Sequence, residues 1–123
     1  MTKNTHLIGN EGEETACQFL KDNGIQVVER NFRTRYGELD IICKDGKLLI
    51  FVEVKAKNTD NFGKPYEMVT GRKKRKLIAT AKNYLLDKGI NPEKSDWRID
   101  IISISKGKEI QWLKNAVTED NYS

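Results

Sequence analysis

The sequence has little of what zinc centres, disulfide frameworks and membrane spans require. Its 123 residues contain one histidine and two cysteines, Cys17 and Cys43, which do not form a Cys-x-x-Cys pair. A structural zinc site takes four cysteine or histidine ligands, so the composition argues against one and leaves both cysteines as small core residues. No signal-peptide pattern is found, and the longest apolar run is far shorter than the roughly 20 residues that span a bilayer. We therefore expect no membrane contact and a cytoplasmic location.

Only two prolines and nine glycines interrupt the chain, and turn residues divide it into short segments. Their periodicity predicts helices near 8–23 and 71–88 and strands near 25–32, 37–44, 47–57, 97–104 and 110–113. Asp45-Gly46 is typical of a two-residue type I′ turn. The predicted fold class is α/β in the broad sense, an α+β mixed sheet flanked by helices in the order α-β-β-β-α-β-β. At this length we expect one domain, residues 1–123, with a core from about 8 to 115 and a frayed tail beyond about 116.

A run of five basic residues, Arg72 to Lys76, carries the excess positive charge of a chain whose net charge is +4. Thr70 precedes the run as a predicted N-cap, so the five cations fall in the first two turns of a helix. There they oppose the helix macrodipole and repel one another, and a bound phosphate would relieve both costs. The run therefore indicates a polyanionic partner, of which nucleic acid is the commonest in the cytoplasm. The alternative is a solvated helix face.

The most informative segment is the strand from Leu48 to Lys57, in which Glu53 and Lys55 follow an otherwise apolar run. A strand this hydrophobic is typical of a buried position. Burying a carboxylate or an ammonium is costly unless the group is paired or binds a metal. Because the two residues are two positions apart, they lie on one face of the strand. Together they indicate a functional site.

The predicted hairpin register brings further carboxylates to this site. A two-residue turn at Asp-Gly places Asp40 opposite Phe51 and Glu38 opposite Glu53. Period-two alternation then puts Glu38, Asp40, Glu53 and Lys55 on one face, with Asp40 and Glu53 as diagonal neighbours about 7 to 8 Å apart. Two carboxylates at that spacing can both reach one Mg²⁺ ion, which leaves open positions for water and a phosphate oxygen.

The first helix contributes one more carboxylate. Its helical period places Glu13, alone among the nearby acidic residues, on the inward face with Gly12 and Ala16. Small residues on that face allow a close approach to the sheet, so Glu13 can point toward the hairpin carboxylates. The alternative is that Glu13 pairs with a buried arginine such as Arg33 or Arg98.

The chain has an acidic residue on the first helix, an Asp on the second strand and Glu-x-Lys on the third strand, followed by another helix. The residues at these positions are Glu13, Asp40, Glu53 and Lys55. With this ordered set the chain resembles the PD-(D/E)xK nuclease superfamily. It is most similar to the YraN-type family of small bacterial proteins, which is related in fold to archaeal Holliday-junction resolvases. The matching stretches are Gly9-x-x-Gly12-Glu13-x-x-Ala16, Asn31-Phe32-Arg33, Gly37-Glu38-Leu39-Asp40-Ile41-Ile42, Phe51-Val52-Glu53-Val54-Lys55, Phe62-Gly63, Val69-Thr70-x-x-Lys73-x-x-Lys76-Leu77 and Arg98-Ile99-Asp100.

The resemblance implies a restriction-endonuclease-like αβββαβ core and a metal-dependent endonuclease that hydrolyses DNA phosphodiester bonds, with branched or junction DNA among its substrates. In such a site Asp40, Glu53 and the backbone carbonyl of Val54 would hold Mg²⁺ or Mn²⁺. Glu13 would complete the metal's shell, and Lys55 would orient the attacking water.

The same resemblance assigns the flanking DNA phosphates to the second helix, where the predicted contacts are Arg72, Lys73, Lys74 and Lys76. Resolvase-like relatives act as dimers, so a homodimer is a further expectation.

Glu38, Asp100 and Arg33 are secondary candidates for the site. Their alternative roles are salt bridges, between Glu38 and Arg33 or Arg35 and between Asp100 and Arg98. For the whole chain two alternative functions remain. One is a nucleic-acid-binding module on the same fold that does not cut, and the other is a structural or interaction domain whose acidic residues pair with arginines.

Overall fold

The computed structural model describes residues 2–56, 70–107 and 109–119, with side chains from residue 11 onward. Over these residues the chain forms two helices and five strands: α1 (Thr2–Asp22), β1 (Gln26–Thr34), β2 (Gly37–Asp45), β3 (Leu48–Ala56), α2 (Gly71–Asp87), β4 (Trp97–Ile104) and β5 (Ile110–Leu113). The predicted element order and mixed α+β class are confirmed, although α1 begins earlier than expected. Phe62-Gly63, Val69 and the turn-rich segment before α2 lie outside the described residues.

The strands form one sheet in the order β1-β2-β3-β4-β5. Only the β3–β4 pair is parallel, since α2 crosses between these two strands and a parallel pair needs such a crossover. One hydrophobic cluster joins α2 to one face of the sheet, and we call it the α2-side cluster. A second cluster joins α1 to the opposite face, and we call it the α1-side cluster. The central strands are therefore covered on both faces, as their apolar sequences predict.

Helix α1 approaches the sheet closely at Gly12. A Cβ atom added there would lie 3.0 Å from the Cβ of Ala56 at the end of β3, so a larger residue would push the helix away. Ala16 and Cys17 follow on the same face and are buried in the α1-side cluster. Cys43 is buried beneath them, and both cysteines are free thiols, as the composition predicts.

Helix α2 begins as predicted. Thr70 is its N-cap, and the Thr70 side chain accepts a hydrogen bond from the backbone N–H of Lys73 at 3.2 Å. The helix ends at the C-cap Lys88, after which Gly89 adopts a left-handed φ of +73°. Packing continues beyond the predicted core boundary near residue 115, because Val117 is 3% exposed and belongs to the α2-side cluster.

The predicted register of the β2–β3 hairpin is wrong by two residues. Asp45 pairs with Leu48 and Ile42 pairs with Phe51, so the two-residue turn is Gly46-Lys47 rather than Asp45-Gly46. Gly46 has a φ of +63°, and Lys47 is not among the residues of positive φ. Positive φ at the first central position alone is the pattern of a type II′ turn, in which glycine comes first. The observed register moves Asp40 from the level of Phe51 to the level of Glu53.

Beyond this hairpin the sheet divides. The β2–β3 pairing ends at Ile41↔Val52, whereas β1–β2 continues to Thr34↔Gly37 and β3–β4 continues to Ala56↔Ile104. We call this opening between the β1–β2 and β3–β4 pairs the fork. Asp40 on one side and Glu53 on the other are the first residues past the last β2–β3 pair.

The predicted alternation along β2 also fails at Asp40. Leu39 and Ile42 both belong to the α2-side cluster, and Ile41 between them belongs to the α1-side cluster. Strict alternation would place Leu39 and Ile41 on the same face, so the strand rotates at Asp40. Glu38 is consequently not on the face of Glu53, contrary to the prediction.

Candidate active site at the fork

Asp40 takes the place of a backbone partner for β3. Its Oδ2 accepts a hydrogen bond of 2.8 Å from the backbone N–H of Val54, where a regular ladder would supply a carbonyl. The N–H and C=O of one strand residue point to the same side. The carbonyl of Val54, a predicted metal ligand, therefore points into the fork beside Asp40.

Glu53 faces Asp40 across the fork, since the two residues are the next positions beyond the Ile41↔Val52 pair on their strands. The Glu53 side chain is 8% exposed, and its burial, reinforced by the charge of Asp40, raises the pKa of Glu53 to about 8. Burial also raises the pKa of Asp40, although the hydrogen bond from Val54 opposes this increase. Both pKa values therefore lie above their ordinary range, because two adjacent carboxyls that are largely removed from water resist ionising together.

Glu13 of α1 adds a third carboxyl near this pair. Its side chain is 15% exposed, and its Oε1 is buried without a hydrogen-bond partner. Burial raises the pKa of Glu13, and the charge of Asp40 raises it further. The sequence therefore identified the inward-facing acid of α1 correctly.

The cation near Glu13 is Arg30 of β1, which the sequence reasoning missed; neither predicted arginine, Arg33 or Arg98, pairs with it. Arg30 Nη2 lies 3.8 Å from Glu13 Oε1, and Arg30 Nη1 donates to Glu14 at 2.8 Å. A distance argument could have found it. Glu14 lies nine helical residues before the turn between α1 and β1, and Arg30 lies five strand residues after it. Each stretch spans about 15 Å, so the two residues come to the same level.

Two lysines flank Glu53. Lys73, from the first turn of α2, places its Nζ 3.8 Å from Glu53 Oε2. Lys55, two residues along β3, is half-buried, and both lysine charges lower the pKa of Glu53 against the effect of burial. The fork thus has carboxyl groups at its centre and ammonium groups at its edge.

The basic residues of α2 differ in exposure. Arg72, Arg75 and Lys76 are exposed, and Lys73 is half-exposed beside the fork. Lys74, also a predicted DNA contact, is 8% exposed and packs inward. The predicted phosphate-binding surface is therefore formed by the other cations of this helix.

The secondary candidates have structural partners. Arg33 Nε binds Glu38 Oε2 at 2.9 Å on an exposed surface. Asp100 is fully buried and accepts hydrogen bonds from Arg98 Nε at 3.0 Å, Trp112 Nε1 at 2.8 Å and the backbone N–H of Asn115 at 2.8 Å. Both alternative salt bridges are thus confirmed, and Asp100 connects β4 to β5 and the segment after it.

Within the described part of the chain, no three or more His, Cys, Asp and Glu side chains come close enough to form a ready metal site. Asp40 and Glu53 are a pair, with Glu13 farther away. Mg²⁺ is usually held by one or two carboxylates together with water and substrate phosphates, so a pair of this kind suffices for that ion. Neither described helix has the length and apolar character needed to cross a membrane.

Comparison with known proteins identifies the family. The model of "Uncharacterised protein family UPF0102" matches residues 12–104. The chain is 40% identical over 113 residues to a UPF0102 protein of Vibrio campbellii, covering 91% of this chain and 93% of that protein. It is 42% identical over 113 residues to a UPF0102 protein of Dechloromonas aromatica, covering 92% and 90%. The YraN-type resemblance is confirmed by these matches. On this evidence the chain belongs to the UPF0102 family.

Proposed function

We propose that this protein is a metal-dependent nuclease that hydrolyses phosphodiester bonds of DNA at the fork. The observation that carries the proposal is the pairing of half-buried Asp40 with buried Glu53, whose Oε2 lies 3.8 Å from Lys73 Nζ of the basic helix. Such a pair is costly to bury, and a divalent cation is the partner that would let both carboxyls ionise. The Asp40–Glu53 pair can bind a cation, and the exposed cations of α2 nearby can bind phosphates, so the arrangement suits a phosphate substrate.

The donor set fits a hard divalent ion. Asp40, Glu53 and the Val54 carbonyl are oxygen ligands of the kind that Mg²⁺ and Mn²⁺ take. The buried Oε1 of Glu13 has no hydrogen-bond partner and would gain one as a ligand or through a bound water. The bound ion would lower the pKa of the attacking water and stabilise charge on the phosphate.

The remaining chemistry belongs to the lysines and the helix. Lys55, half-buried next to Glu53, would donate to the attacking water or to a phosphate oxygen. Lys73 would exchange its contact with Glu53 for a flanking phosphate if a divalent ion neutralised the Glu53 carboxylate. Arg72 and Lys76 would hold neighbouring phosphates, contacts that position a nucleic acid without reading its sequence.

Asp40→Asn tests the site directly, with Asp45→Asn as the matched control at the far, exposed end of the same strand. Purified proteins are incubated with linear, nicked, flapped, four-way and single-stranded DNA and with RNA, in Mg²⁺, Mn²⁺ or EDTA. We expect metal-dependent cutting by wild type and Asp45→Asn, and roughly 10²- to 10³-fold slower cutting by Asp40→Asn because one charged stabiliser of the transition state is lost. Equal rates in the two variants would place the chemistry elsewhere.

Metal should also stabilise the protein in a pH-dependent way. At pH 8, saturating Mg²⁺ should raise Tm by several degrees, because the ion binds the folded state and relieves the repulsion between Asp40 and Glu53. At pH 5 the shift should shrink, since protons then compete for both carboxyls. Differential scanning fluorimetry measures both values. An undiminished shift in Asp40→Asn would assign the effect to another site.

The second candidate function is a nucleic-acid-binding module that does not cut. It is favoured by the exposed cations of α2, which can bind phosphates without any cutting. Salt-sensitive DNA binding without cutting on any substrate of the panel would support this alternative.

A further inference from the structure

The turn between β1 and β2 presents an aromatic residue to solvent. Tyr36 is 39% exposed, and it is the one aromatic side chain that is exposed in the described part of the chain. Its neighbour Arg35 places the guanidinium carbon 5.0 Å from the ring centroid and donates from Nη2 to the phenol oxygen at 2.8 Å. The Tyr36 ring is therefore partly exposed to solvent and contacts the Arg35 guanidinium, and it does not pack in the core.

This turn is ordered by its own hydrogen bonds. The Thr34 hydroxyl accepts from the backbone N–H of Tyr36 at 3.0 Å and contacts the carbonyl of Gly37 at 3.3 Å. Gly37 has a φ of +156°, and a Cβ atom there would meet Thr80 Oγ1 at 3.3 Å and Lys76 Cβ at 3.7 Å. The turn therefore rests against α2, and Tyr36 is presented by a fixed backbone beside the basic helix.

The turn and the fork lie at the same end of the sheet. Three strand residues, about 10 Å, separate Gly37 from Asp40. Two exposed cations lie at the turn, Arg35 within it and Lys76 on α2, whereas Arg33 beside it on β1 is paired with Glu38.

We propose that Tyr36, backed by Arg35, stacks on an unpaired nucleobase of a nucleic acid whose adjacent backbone lies on α2 and reaches the fork. The inference rests on the proposed function and narrows its substrate class to nucleic acids with an unstacked or single-stranded segment near the cut. Stacking needs a free π-face, which a fully paired duplex hides between its base pairs. The surrounding positive charge selects a polyanion over an apolar protein surface.

Tyr36→Ala and Tyr36→Phe test this proposal. Each protein is mixed, in buffer with EDTA, with one of two labelled DNAs that differ only in a single-stranded flap. Fluorescence anisotropy measures Kd for the flapped and the fully paired duplex. We expect Tyr36→Ala to weaken binding to the flapped DNA on the order of tenfold and to leave the paired duplex unchanged, because one stacking contact is lost. Tyr36→Phe keeps the ring and should keep the preference. Leu86→Ala, at the distal end of α2 and 64% exposed, is the matched control.

A second measurement locates the base. The flap carries 2-aminopurine at each of its first five positions in turn, and stacking on Tyr36 should quench one position in wild type and Tyr36→Phe but not in Tyr36→Ala. An equal loss of affinity for both DNAs, or no loss, would overturn the stacking role. If wild type cuts DNA while Tyr36→Ala shows no selective defect, this inference fails alone. If wild type binds neither DNA, the proposed function fails with it.

Discussion

Glu53→Gln should slow metal-dependent cleavage severely and at the same time stabilise the metal-free protein at alkaline pH. The amide keeps the size and hydrogen bonding of Glu53 but cannot ionise, so the divalent ion loses a charged ligand. We expect cleavage to fall by roughly 10²- to 10³-fold, comparable to the loss of one electrostatic stabiliser of a transition state. Initial rates at saturating Mg²⁺ measure this effect.

The stability effect follows from the raised pKa of Glu53. The folded state holds the proton up to a pKa of about 8, whereas the ordinary value is 4.5. Between these values the folded state binds more protons than the unfolded state. The contribution of this proton to the free energy of unfolding is therefore fully present below pH 4.5 and is lost as the pH rises through 8. Glutamine removes that loss. The variant should therefore be more stable than wild type by about 2 to 4 kcal/mol at pH 8 and nearly equal to it at pH 4.

Urea unfolding in EDTA at pH 4, 6 and 8 measures the difference between the two proteins. Glu109→Gln is the control, because Glu109 is exposed just before β5 and the same substitution there should change neither stability nor cleavage. If Glu53→Gln lowered stability at pH 8, Glu53 would be an ionised partner of Lys73 rather than a protonated partner of Asp40.

Asp100→Ala should have the largest effect on stability and little effect on chemistry. The substitution leaves the Arg98 guanidinium, the Trp112 indole N–H and the Asn115 backbone N–H without their buried acceptor. Removing one partner of a buried charged pair typically costs about 3 to 5 kcal/mol. The urea midpoint should fall by about 2 M.

Cleavage per folded molecule, measured below the unfolding transition, should stay near the wild-type rate. Asp96→Ala is the control, because Asp96 is exposed immediately before the same strand. A variant that folds with wild-type stability yet does not cut would give Asp100 a role in the reaction instead.

Much of this architecture could be predicted from local sequence patterns. The element order follows from hydrophobic periodicity, the start of α2 from the Thr70 cap, and the inward position of Glu13 from helical geometry. These features depend on residues close together in the chain, where period and capping are strong signals. The proximity of Asp40 and Glu53 was also predicted, because the register error of two residues changes them only from diagonal neighbours to directly opposite ones.

The fork and its neighbours could not be predicted in this way. The turn at Gly46-Lys47 depends on which backbone twist closes the hairpin, and Asp-Gly favours a different choice. The rotation of β2 at Asp40 lies opposite Asn31 of β1, whose φ of +56° no alternation pattern encodes. Such features arise from tertiary packing and become visible only once the sheet is assembled.

The hydrogen bond from Val54 to Asp40 makes the backbone amide of Val54 a reporter of the state of the fork. In an ordinary ladder an amide proton is bound to a carbonyl whose basicity is constant, whereas this one is bound to a carboxyl oxygen at 2.8 Å. Its acceptor weakens when Asp40 takes a proton or gives electron density to a cation. The ¹H–¹⁵N resonance of Val54 should therefore titrate with pH and with divalent ions, and a spectrum of the resting protein can follow the ionic state of the fork without any substrate or turnover.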